Sequence, residues 1–173
     1  GSGQISSHTA AVRASDEAAT TWRTPAPAAL MEAIVHGMPG ARVLLETGDA
    51  DTAEAWYRRG GEIVAASALA TDQRTIWRVR ELHGLARSAA QRREVERANL
   101  LAAEAHALME SDPANAEHYR WIGPYLLGYL RIAERRYDEA IELLQKSATA
   151  RANIPLLLAV SFARKRDKPK GRL

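Results

Sequence analysis

The 173-residue chain has no cysteine, one phenylalanine and few β-branched residues. Without cysteine there can be no disulfide framework, thiolate metal site or cysteine nucleophile. No apolar run approaches the roughly 18–20 residues that a membrane-spanning helix needs. Phosphate-cradling glycine loops, the Gly-x-Ser-x-Gly elbow and His-Glu-x-x-His are missing too. The five histidines, His8, His36, His83, His106 and His118, fall in no zinc spacing. His106 and Glu110 share a helix face, which reads as an exposed i,i+4 pair rather than a metal site. No constellation for catalysis emerges. The chain is therefore not expected to be an enzyme, and no metal or cofactor is expected.

What is present favours helix. Alanine, leucine, arginine and glutamate dominate, and all four are strong helix formers. The formal charge is +3, but it is unevenly placed. From Arg164 to Leu173 there are six basic residues and one acidic one, so the rest carries 18 basic against 20 acidic. The basic character belongs to the tail, and a nucleic-acid footprint is not expected of the body. The tail, 167–173, reads as a solvated end, with an electrostatic arm as its alternative. Gly1-Ser2-Gly3 reads as an expression scar, which leaves a preceding signal peptide or domain open. These features do not fix the compartment, and a cytoplasmic one is the expectation.

Residues 1–23 are rich in Ser, Thr and Ala without apolar periodicity and read as a flexible segment. The helical domain is expected over 24–166. Thr24-Pro25 opens a first helix carrying Leu30, Ile34, Val35 and Met38, with a break near 38–40. Leu44 and Leu45 resume its apolar face, and Gly48-Asp49 ends it in a turn. A second helix is expected from Asp51 to Leu69, weakened at Gly60-Gly61. A third begins at Thr71-Asp72 with Ile76, Val79, Leu82 and Leu85 at steps of three and four. After a loop at Gln91–Arg93, a fourth carries Val95, Leu100, Leu101, Ala105, Leu108 and Met109. Ser111-Asp112-Pro113 caps a fifth, which Gly123-Pro124 should kink. A sixth spans Asp138 to about Ala150, and a seventh runs from Leu156 to Arg166 behind Pro155. Trp22, Trp56, Trp77 and Trp121 are expected in the core.

The stretch Leu127-Gly128, Tyr137-Asp138-Glu139-Ala140, Leu144 and Ser147 resembles the tetratricopeptide repeat. Asp112-Pro113-Ala114-Asn115-Ala116-Glu117 is similar to that family's junction between repeats. Upstream echoes are Gly48, Ala53, Tyr57 and Gly60, then Leu85-Ala86, Val95, Ala98, Ala102 and Ala105. Taking Ala53, Ala98 and Ala140 as equivalent gives spacings of 45 and 42, longer than the family's period of about 34. The resemblance implies an all-α fold: an α-α superhelix, a right-handed solenoid of about three helical hairpins plus a terminal helix.

In that family the first helices of successive hairpins line a concave groove. The resemblance therefore places Tyr125 and Tyr129 on the groove face of one hairpin. It places Arg80, His83 and Arg87 on the hairpin before, and Arg42 on the first. Arginine offers a two-pronged fork to carboxylates and tyrosine a rigid contact surface. The expected function is a protein-interaction module that binds a peptide or partner domain in this groove, with an acidic or C-terminal-carboxylate segment as the ligand the arginines and tyrosines suit. The alternative is a ligand- or partner-sensing regulatory domain of a larger bacterial transcription or signalling protein. Tyrosines packed between hairpins and arginines left in solvent are the plainer alternative for these residues, and oligomerisation stays open.

Overall fold

The structure, a computed structural model, describes residues 40–147 and 154–166, and among them every regular element is helical. Helix α1 occupies 40–47, α2 Ala50–Ala65, α3 Thr71–Gln91 and α4 Val95–Glu110. A 3₁₀ turn at Pro113–Asn115 leads into the short α5, Ala116–Tyr119. Then come α6 (Ile122–Ala133), α7 (Tyr137–Gln145) and α8 (Ile154–Arg166). The flexible 1–23 segment, Trp22, the Leu30–Met38 periodicity, the 38–40 break apart from Gly40, the 148–150 end of the sixth helix and the 167–173 tail lie outside the described residues.

The chain reverses three times by one device. Gly48, Arg93 and Arg135 adopt the left-handed conformation, with φ of 91°, 62° and 62°. At each, the next residue's N–H reaches back five positions: Asp49 to the Leu44 carbonyl, Glu94 to Ala89 and Arg136 to Arg131, at 2.9, 3.0 and 2.8 Å. The turn residues themselves bond to Leu45, Ala90 and Ile132. This paired bonding satisfies carbonyls that a helix end would otherwise leave open. Three helical hairpins result, α1/α2, α3/α4 and α6/α7, with turns at the 45- and 42-residue spacings read from the sequence.

Small residues let the paired helices approach. Seven positions before each turn and five after it stand Ala41 and Ala53, Ala86 and Ala98, Gly128 and Ala140, all buried. At Gly128 the fit is tightest: a Cβ would lie 2.8 Å from Leu144 Cγ and 3.4 Å from the Ala140 carbonyl oxygen. Above and below these pairs, Leu82, Ala89, Ala102, Ala105, Leu126 and Leu130 form one core. Ala41, Leu45, Ala53, Tyr57 and Leu85 form another.

Neighbouring hairpins also meet. Helix α3 touches α2, α4 and α6, while α6 touches α3, α4, α7 and α8. A polar pair repeats at the two hairpin junctions. Glu54 on α2 binds Arg92 in the second turn, and Asn99 on α4 donates to Glu134 in the third turn at 3.0 Å. Asn99 and Glu134 stand 45 and 42 residues beyond Glu54 and Arg92, so one contact position carries different chemistry at each junction.

Several expectations need correction. The second helix stops at Ala65 rather than Leu69, because Ser67 turns back onto the Val64 carbonyl through both its N–H and its hydroxyl. It runs unbroken through Gly60-Gly61, where Gly61 lies against the Glu81 side chain of α3. The fifth helix is two pieces, not one kinked rod. Pro124 has no N–H for the Arg120 carbonyl, and the chain breaks at Arg120-Trp121, which places the proline in the first turn of α6. The sixth helix ends at Gln145; Lys146 and Ser147 form a turn, and the Ser147 hydroxyl donates to the Trp121 carbonyl at 3.0 Å. Trp56 is 47% exposed rather than in the core.

Candidate functional site

Helix α3 is the centre of the fold. Its C-terminal half is enclosed from several sides, with Leu85, Ala86, Ala89 and Ala90 in the core. Its other face carries Gln73, Ile76, Trp77, Arg80, His83, Arg87 and Gln91, spaced at helical steps within one arc of about 120°. Opposite stands α6 with Tyr125 and Tyr129 four residues apart, and Trp121, just before its first residue, continues the same spacing. The two helices meet as a ladder. His83 stacks on Tyr125 with ring centres 5.1 Å apart, and Trp121 leans on Tyr125 at 6.0 Å. The Arg87 guanidinium lies 4.9 Å from the Tyr129 ring centre and 5.6 Å from that of Tyr125. Gln91 Nε2 donates to Tyr129 Oη at 3.1 Å and to the Leu45 carbonyl of α1.

Arg87 is the unusual member, at 3% exposure. Among the described residues no carboxylate meets it, and its Nε is enclosed with no acceptor. Burying a cation without a counter-charge is costly, and two aromatic faces offset only part of that cost, about 1–2 kcal/mol each at most. Gln91 Oε1, one turn along, is likewise enclosed without a donor. Tyr57 of α2 borders the cluster from the other side. Burial pushes its phenol above the usual range, against the opposing pull of the Arg87 charge. Tyr129 Oη accepts from Gln91, which leaves its own proton to give.

Four of the six groove residues named from the sequence therefore come together: His83, Arg87, Tyr125 and Tyr129. They contact one another, and Arg87 and Tyr125 are buried rather than solvated. Arg80 lies one turn away with its guanidinium 4.6 Å from the Trp77 ring centre. Those two side chains, with Leu69, Gln73, Ile76 and His118, line a cleft of about 190 Å³. Arg42 is exposed on α1 and pairs with Glu46 at 3.5 Å. It occupies the position of its hairpin that Arg87 and Tyr129 occupy in theirs. Gln91 was expected in the loop at Gln91–Arg93 but is the last residue of α3; its place four residues beyond Arg87 was the available signal.

A second charged cluster lies at the first hairpin junction. Glu54 accepts from Arg58 at 2.8 Å and Arg97 at 2.5 Å, and also from Arg92. Arg92 bonds Asp51 and Glu94 as well. Burial alone would raise the Glu54 carboxyl, but the three arginines outweigh it and hold it at about 2. Every charge here has a partner, so the cluster joins α2 to the second hairpin and offers little to a ligand. His106 Nε2 and Glu110 lie 3.2 Å apart and exposed, the helix-face pair expected. Among the described residues no group of three metal-ligating side chains converges, and no helix is long and apolar enough to cross a membrane.

Comparison with family models, with curated proteins and with solved structures finds no match for this chain.

Proposed function

We propose that the chain is a protein-interaction module, a right-handed superhelical stack of three tetratricopeptide-like hairpins and a terminal helix. Three supports carry the architecture: the identical turns, the small-residue pairs at one spacing, and the contact of α3 with α6 and α6 with α8. Non-catalytic binding fits a surface of rigid aromatic and arginine side chains on packed helices.

The single observation behind the binding role is Arg87, buried between two tyrosines with no carboxylate among the described residues. A partner's acidic group supplies the missing counter-charge, the Tyr129 hydroxyl adds a donor, and Gln91 Oε1 accepts an N–H. The favoured ligand is an acidic peptide segment, taken up with no cofactor. Selection of a random twelve-residue display library tests this directly. Wild-type protein should enrich Asp- or Glu-containing peptides, and Arg87→Gln should lose them while keeping its helical circular dichroism. No enrichment, or the same peptides on the variant, would refute the reading.

A further inference from the structure

We infer that the outer face of α8 is a docking surface for a partner protein's amphipathic helix, lying antiparallel to α8 and acidic in its first turn. This surface involves none of the groove residues and does not rest on the acidic-peptide reading.

Three inward positions set α8 in register with α3. In α3, Trp77 packs with Val64 of α2, and Glu81 and Gly84 lie against Gly61 and Tyr57. In α8, Ile154 and Leu158 pack with Leu144 of α7, and Ser161 is fully buried. Each of these stands 77 residues beyond its counterpart. The same offset carries Val79, Leu82 and Ala86 onto Leu156, Ala159 and Ala163. The α3 trio is wholly buried, in clusters with Ala98, Ala102, Ala105 and Met109 of α4. The α8 trio is exposed, Leu156 at 66%, with Phe162 beside it at 51%. From Ile154 to Phe162 the helix is thus apolar toward α7 and apolar away from it. A helix apolar all round is one that is enclosed on all sides.

What covers α3 defines what fits on α8. There α4 runs antiparallel and brings an alanine, Ala98, into the cluster of Ala86; Ala163 leaves the same room for a close approach. Charge sets the rest. Helix α8 has no acidic residue and ends in Arg164, Lys165 and Arg166, of which Lys165 pairs with Asp138 of α7. An antiparallel helix sets its N-terminal end beside this basic turn, where its own dipole also favours acidic residues. A second α8 brings three more basic residues and no acidic one, so a copy of this chain is the poorer occupant.

The test uses a labelled peptide of residues 94–110, which holds Glu94 and Glu96 at its start and the stripe that covers α3. It is titrated into the full chain by fluorescence anisotropy, and saturable binding below about 1 mM is expected. Ala159→Glu, at an exposed position, keeps the contacts of α8 with α7 and should weaken binding at least about tenfold, because it sets a charge in the apolar contact. Unchanged helical circular dichroism checks the fold of that variant. The peptide carrying Glu94→Lys and Glu96→Lys should bind at least about fivefold more weakly in low salt, and the gap should narrow in high salt. No saturable binding, or binding that Ala159→Glu leaves intact, overturns the inference. Equal affinity of the two peptides in low salt overturns the acidic occupant and the proposal with it. Self-association of the chain in sedimentation, abolished by Ala159→Glu, would give the face to a second copy and overturn it as well.

Discussion

Arg135 and Arg93 hold backbone angles that cost a side-chain-bearing residue about 1–2 kcal/mol, and neither makes a side-chain ion pair among the described residues. Arg135→Gly should therefore raise stability by about 0.5–1 kcal/mol, read as an upward shift of the urea midpoint at unchanged slope. A lower midpoint would mean the arginine side chain contributes something the geometry does not show. Glu54 acts in the opposite sense. Its folded value of about 2 lies below the ordinary 4.5, so its stabilisation is present above pH 4.5 and fades as pH falls from there toward 2. Glu54→Gln should cost about 2 kcal/mol at neutral pH, since hydrogen bonds to charged partners contribute about 1.5–3 kcal/mol. The variant should also flatten acid denaturation between pH 4.5 and 2. Equal acid sensitivity in the two proteins would place the loss elsewhere. Single residues were unevenly legible in the sequence. Gly48 announced its turn, and a loop was expected at Gln91–Arg93, but the left-handed backbone of Arg93 and Arg135 was not legible, because a left-handed arginine carries no compositional mark. The burial of Arg87 was equally hidden, since a cation enclosed by tyrosines from another helix depends on tertiary packing alone.

At the level of helices, the hairpin is the unit that repeats. Gly128 sits where a Cβ would meet Leu144 at 2.8 Å, with the Ala140 backbone close behind. Gly128→Ala should cost about 1–3 kcal/mol by overpacking, despite alanine's better helix propensity. Leu144→Ala in the same chain should relieve part of it, so the double variant is more stable than the two single losses predict when summed. Full additivity in chemical denaturation would separate the two residues. Helix existence was readable from apolar periodicity, and so were the facing small residues Gly128 and Ala140 of α6/α7 with Leu144 beside them. The first hairpin was read only in part, because Ala41 belongs to a helix whose upstream periodicity drew attention to Leu and Ile rather than to small residues. Helix ends were the poorest reading. Ala65 ends α2 through a local Ser67 hydrogen bond, and the chain breaks at Arg120-Trp121 because Pro124 acts on the residue four before it.

Across the whole molecule, burial is graded from the centre outward. Helix α3 contributes ten buried residues from Val79 to Ala90, while α8 buries only Ile154 and Ser161 and leaves Leu156 and Phe162 exposed. Native-state hydrogen exchange should therefore be slowest in the second half of α3 and fastest in α8. Uniform protection would contradict this gradient of burial. The Trp56 and Trp77 positions show why a side chain's surroundings are harder to read than a fold. Both are tryptophans on amphipathic helices, yet one faces solvent and the other lines a cleft, a distinction set by neighbouring elements. The hairpin register places Arg42, Arg87 and Tyr129 at one position of successive units, which the sequence offered; the contacts of Arg87 with Tyr125 and Tyr129 it did not. The central claim is that Arg87 meets a partner's carboxylate, and a double-mutant cycle measures that pair alone. The best Glu-containing peptide and its Gln counterpart are titrated against wild type and Arg87→Gln. A coupling of about 1.5 kcal/mol or more is predicted for a close charge pair. A coupling near zero, with each change acting independently, would contradict the account.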